Sequence, residues 1–131
     1  MPKLEAVFAA LSDRTRLRLL NLMRGGSVCV CYFVEILGES QPKISRHLAQ
    51  LRRARLVTTS RDGKWIHYSI AEDLSPDVRQ IIESTFAAMH DDAQMRRDRN
   101  ALLRACCAGK LPAALRDAPR PAMERDSLLR E

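Results

Sequence analysis

Residues 40–70 read SQPKISRHLAQLRRARLVTTSRDGKWIHYSI, and two different periods meet inside them. Over the first half, Ile44, Leu48 and Leu51 recur at helical spacing, while Lys43, Arg46, His47, Gln50 and Arg53 decorate the opposite face. This predicts a helix over 41–56 with an apolar floor and a basic roof. Ser40 or Gln41 can cap it, and Pro42 suits a first turn whose N–H groups have no intrahelical partner. The second half is two β-rich runs around Asp62-Gly63, the strongest short-range hairpin signal. Ile66, Tyr68 and Ile70 are expected to point inward, leaving Trp65 and His67 on the other face.

Upstream, the apolar run VCVCYFVEIL (28–37) predicts a helix that ends at Gly38, so a tight connection at Glu39-Ser40 joins two short helices. Before it, Ser12 reads as an N-cap with Asp13 in the first turn of a helix through RTRLRLLNLMR, stopped by Gly25-Gly26. Leu4, Val7, Phe8 and Leu11 make a first amphipathic helix ending near Ser12. Downstream, Ser75-Pro76-Asp77 restart a helix whose stripe is Val78, Ile81, Ile82, Phe86 and Met89, read as continuing through HDDAQMRRDRN to a cysteine pair. Such a striped helix outside the helical core needs a cover, and a second copy of the chain would serve. The expected organisation is one domain over residues 1–108 and a flexible tail over 109–131, where prolines and mixed charges accumulate.

The net charge of +6 sits wholly between Gln41 and Lys64, where seven basic residues face one acid. Elsewhere the charges balance. Two helices joined by a short turn, the second basic on its outer face, followed by a hairpin with basic residues at its tip, form a winged helix-turn-helix: a mainly α fold with a β-hairpin wing. Its partner is double-stranded DNA, with Gln41, Lys43, Ser45, Arg46 and His47 at the base-reading end of the recognition helix and Arg61 and Lys64 on the wing.

No signal peptide and no bilayer-length apolar run is legible, which predicts a cytoplasmic chain without membrane association. In that reducing setting Cys29, Cys31, Cys106 and Cys107 read as metal-binding, redox-active or buried thiols. Catalysis is not expected. The six-residue step from a cysteine to an arginine that oxyanion-binding thiol enzymes need is absent, those positions being Glu35, Leu37, Pro112 and Ala113, and no phosphate loop or nucleophile elbow is present.

The 40–70 stretch, together with SDRTRLRLLNLM (12–23) and CVC at Cys29–Cys31, closely resembles the ArsR/SmtB family of bacterial metal-responsive repressors from about Leu4 to Met89. The resemblance implies a homodimer joined through first and last helices, which leaves a palindromic operator when metal binds. CVC is similar to the metal box of the arsenic sensors. Two positions depart from that box: Val34 stands where a third cysteine is usual, and Tyr32 where an acid is usual. The resemblance therefore implies As(III) or Sb(III) as inducer, held by Cys29 and Cys31 with Cys106 or Cys107 as third sulfur. His90, Asp91 and Asp92 lack the second half of the zinc-sensing pattern, and no zinc site is expected there.

The residues leave other ligands open: an organoarsenical on the vicinal pair alone, cadmium or lead on the same thiols, or oxidation and persulfidation of the thiols. Side chains two apart on a helix diverge. A regular third helix would splay the two box thiols until an ion pulled its first turn out of shape.

Overall fold

The computed structural model describes residues 3–107, without the Cys107 side chain, and residues 118–121. The element order is α1 (Leu4–Leu11), α2 (Arg14–Leu22), β1 (Val28–Cys29), α3 (Val30–Leu37), α4 (Gln41–Arg53), β2 (Val57–Asp62), β3 (Trp65–Ile70), α5 (Pro76–Ala88) and α6 (Ala93–Cys107). The core is built from Leu19, Leu20 and Leu22 of α2, Tyr32 and Phe33 of α3, and Ile44, Leu48 and Leu51 of α4, none more than 1% exposed. With α3 and α4 as the helix-turn-helix pair and β2–β3 as wing, the winged helix-turn-helix fold is observed.

Each boundary follows from local chemistry. Asp13, not Ser12, caps α2: its carboxylate accepts from the Arg16 N–H at 3.1 Å. Ser12 instead closes α1, its hydroxyl donating to the Ala9 carbonyl at 2.7 Å. Ser40 caps α4 and Ser75 caps α5, each accepting from the N–H three residues on. The recognition helix stops at Arg53, three residues short of the expected end. There the Leu56 N–H reaches the Leu51 carbonyl and the Arg55 N–H the Arg52 carbonyl, with Arg55 at φ 61°. This is a Schellman stop with arginine in the left-handed position that glycine usually fills.

The wing turns through Gly63, at φ 60°, and Lys64, with Asp62 paired to Trp65. A first central residue at positive φ in a two-residue hairpin loop suits the strand twist. The inward set differs from expectation. Ile66 is 37% exposed, while Trp65, Tyr68 and Ile70 pack on the core. Trp65 is drawn over by the Lys64 ammonium, 5.0 Å from its ring centre.

Two further differences matter for function. Val28 and Cys29 are a strand, not the start of α3: they pair with Tyr68 and His67, so the sheet runs β1-β3-β2. The long C-terminal helix breaks at Met89–Asp92, where the Asp92 carboxylate accepts from the Met95 N–H at 3.1 Å and starts α6. That separate helix folds back onto α2. Arg18 donates to both oxygens of Asp98, at 2.7 and 3.0 Å. Asn21 donates to the Met95 carbonyl and accepts from Arg99. Of the segment expected as a tail, residues 118–121 are described, with Ala118 6% exposed in the core.

Candidate functional site

The outward face of α4 is set by its inward one. Because Ile44, Leu48 and Leu51 are fully buried, Gln41, Ser45 and Arg46 stand exposed at the N-terminal end, as do Arg61 and Lys64 at the wing. Lys43 is half-buried and pairs with Glu39 at 3.1 Å, which leaves it less available than its neighbours. His47 turns the other way. Its Nδ1 lies 3.2 Å from the Arg16 guanidinium and 3.8 Å from the Asp13 carboxylate.

Arg16 is the residue the sequence reading missed. Buried to 9% exposure, its guanidinium donates to the Ala10 carbonyl at 2.7 Å and the Ala9 carbonyl at 3.1 Å while meeting His47. A cation on the unsatisfied carbonyls of a helix end is favourable. Here it also ties α1 and α2 to the recognition helix. Asp13 completes the group. Burial works to raise its pKa, but the Arg16 N–H it accepts and the charges of His47 and Arg16 outweigh that and lower it.

The thiols sit behind this face. Cys29 ends β1 with extended backbone and precedes the first residue of α3, while Cys31 lies in its first turn. The chain bends between them, so two side chains that a continuous helix would splay converge: Cys31 Sγ donates to Cys29 Sγ at 3.1 Å. The expectation of a regular helix across both cysteines is thus corrected, since pairing of Cys29 with His67 holds the first one in the sheet. Burial first, then the Cys29 sulfur, push the Cys31 thiol up to about 12.

Cys106, half-buried near the end of α6, belongs to the shell around the same core, and the Cys107 side chain lies outside the described residues. Among the described residues, no three His, Cys, Asp or Glu side chains converge as a metal site. The box contributes two sulfurs, not three. Val34, at the usual third-cysteine position, packs against the core. Tyr32 beside it is fully buried, and its hydroxyl has no hydrogen-bond partner. Burial above all, then the neighbouring Cys106 and Cys31, raise its pKa.

At the C-terminal acids, Asp92 is engaged by Arg14 at 2.8 Å. His90 and Asp91 approach only to 4.0 Å.

Comparison with known proteins places this architecture. The profile described as "Bacterial regulatory protein, arsR family" matches residues 13–59. The arsenic resistance transcriptional regulator ArsR2 of Pseudomonas putida is 42% identical over 83 residues, 63% of this chain and 72% of that protein. The chain belongs to the ArsR family. The arsenical resistance operon repressor of Escherichia coli is 37% identical over 67% of this chain and 76% of its own length. Among solved structures, HlyU from Vibrio cholerae superposes with a TM-score of 0.59 at 26% identity, covering 66% of this chain and 91% of that one. The homodimeric winged helix-turn-helix domain of Mb0332 from Mycobacterium bovis gives 0.57 at 25% identity, covering 68% and 80%. This ArsR-family chain is therefore a DNA-binding transcriptional repressor rather than an enzyme. Among its described residues no helix is long and apolar enough to cross a membrane.

Proposed function

We propose that this repressor holds its operator as a homodimer and releases it when trivalent arsenic or antimony binds the thiols of Cys29 and Cys31. The single observation that carries the reading is the 3.1 Å contact between the two sulfurs at the root of the helix-turn-helix. A tetrahedral ion with bonds of about 2.3 Å holds neighbouring sulfurs about 3.8 Å apart. The tighter pair suits a soft centre whose bonds lie nearer right angles, as those of trivalent arsenic and antimony do. Thiolate selects such soft centres over harder ions. Cys106 and Cys107 are the further thiols that α6 could add.

Release follows from where the pair sits. Cys29 is paired with His67 of the wing strand and adjoins α3, the partner helix of α4. An ion that binds one arrangement of β1, α3 and wing better than another shifts the population between them. On the DNA side, Gln41, Lys43, Ser45 and Arg46 read or anchor the major groove, Arg61 and Lys64 contact phosphate, and His47 positions the helix through Arg16. Dimerisation is supported by Leu4 and Phe8 of α1, which are 53% and 52% exposed, and by the homodimeric Mb0332 domain.

The contact between the sulfurs also favours a second reading, oxidation of the pair to a disulfide as the releasing event. Fluorescence anisotropy of the reduced protein on its own upstream DNA, titrated with arsenite, antimonite, phenylarsenite, cadmium, zinc and an oxidant, separates the two. Release by trivalent metalloids, abolished in Cys29→Ser and Cys31→Ser while DNA binding persists, supports the first. Release by oxidant alone replaces it with the second. In the same assay Arg46→Ala should weaken DNA binding and lower the salt slope by about one per phosphate contact removed.

A further inference from the structure

Two sulfurs leave a trivalent centre one bond short, and the structure holds one polar group near them with nothing to do. Tyr32 is 0% exposed, its hydroxyl is orphaned, and the groups that act on it electrostatically include the thiols of Cys106, Cys31 and Cys29. An unpaired hydroxyl in a core carries a desolvation penalty that phenylalanine would avoid. Among the described residues no third sulfur, imidazole or carboxylate joins Cys29 and Cys31.

Building on the metalloid reading above, we propose that the box takes an inorganic trivalent hydroxide, arsenite or antimonite, through Cys29 and Cys31 only, and that the buried Tyr32 hydroxyl donates a hydrogen bond to the oxygen that stays on the bound centre. Arsenious acid carries three hydroxyls. Each thiol forms one sulfur–arsenic bond as one arsenic–oxygen bond breaks, and the thiol proton leaves with that hydroxyl as water. Two waters depart, arsenic stays trivalent, and one hydroxyl is retained. That oxygen satisfies the orphaned donor. A phenyl- or methylarsenite spends its two hydroxyls on the two sulfurs and keeps only carbon, which accepts no hydrogen bond. Tyr32 is thus a specificity residue that favours the inorganic form.

The test measures affinity of the reduced full-length protein for arsenite and for phenylarsenite by direct titration, in wild type, Tyr32→Phe and the double variant Cys106→Ser/Cys107→Ser, with the mass of the arsenite complex read by native mass spectrometry. Tyr32→Phe keeps the ring and should fold as well as wild type, which a thermal melt verifies. The expected result is a five- to tenfold loss for arsenite, about one hydrogen bond's worth, with phenylarsenite unchanged. The wild-type complex should weigh as arsenic bearing one hydroxyl, and the double cysteine variant should bind arsenite within about twofold of wild type. Equal change for both arsenicals in Tyr32→Phe, a complex of bare arsenic, or loss of arsenite binding in the double variant overturns the proposal in favour of a three-sulfur site. Failure of wild type to bind either arsenical instead removes the metalloid reading itself.

Discussion

Replacing Asp98 by asparagine strikes the contact that docks α6 onto α2. The Asp98 side chain is 3% exposed and that of Arg18 16%. The carboxylate accepts from Arg18 Nε and Nη2 and from the Gln94 amide, at 2.7, 3.0 and 2.8 Å. Asparagine keeps the shape but removes the charge and turns one acceptor into a donor that faces a guanidinium. Breaking a buried pair on one side costs about 3–5 kcal/mol. Arg18 retains some access to water, so the lower end, about 3 kcal/mol, applies. For a domain of this size each kcal/mol lowers the melting temperature by roughly 4 °C, giving a drop of about 12 °C. The assay is thermal and urea unfolding of wild type, Asp98→Asn, Arg18→Gln and the double variant. A coupling of about 2 kcal/mol is expected between the two sites, and the apolar pair Arg18→Met with Asp98→Leu should recover most of the loss. If both single variants cost under about 0.5 kcal/mol and add independently, the pair does not dock the helix and the reasoning is refuted.

His47→Ala should cost about 1 kcal/mol of stability through the lost Arg16 contact while leaving preference among operator variants unchanged; a changed preference would put the ring on DNA. Arg55→Gly should stabilise by about 0.5–1 kcal/mol, because arginine at φ 61° is strained where glycine is not; denaturant midpoints check this, and a lower midpoint would assign the side chain a folding role. In acid, Asp92 is held at about 2, below its ordinary 3.8, by the Arg14 hydrogen bond and then the Met95 N–H. A folded-state pKa below the unfolded one gives stability that is present above about pH 4 and lost as pH falls towards 2. Asp13, also lowered, adds the same sign. The melting temperature should be level on their account from pH 8 to 5 and fall below 4, less steeply in Asp92→Asn; an equal fall in that variant would remove Asp92 from the account.

The reading–anchoring face was legible because its signals are local. The i, i+3, i+4 floor of α4, the Ser40 cap, the Asp62-Gly63 turn and the confinement of charge to residues 41–64 all depend on neighbours in the chain. The same locality placed α5 at Ser75-Pro76. Errors arose where a distant partner overrode a local preference. Val28-Cys29 carry a helix-like apolar run, yet β3 offers them a ladder, and the chain takes strand geometry. Ile66 alternates as an inward residue, but the half-buried face belongs to Trp65, Tyr68 and Ile70.

The sequence alone determined the winged helix-turn-helix, the basic DNA-facing surface and the presence of two thiols one residue apart, since each is written in spacing, capping and charge along the chain. Only tertiary structure decided that those thiols touch, that His47 faces Arg16 instead of solvent, that α6 returns to α2 through Asp98, and that the Tyr32 hydroxyl is buried without a partner. Those four features are contacts between segments far apart in sequence or changes of backbone state that such contacts impose. No periodicity within one segment records which distant atom will meet it.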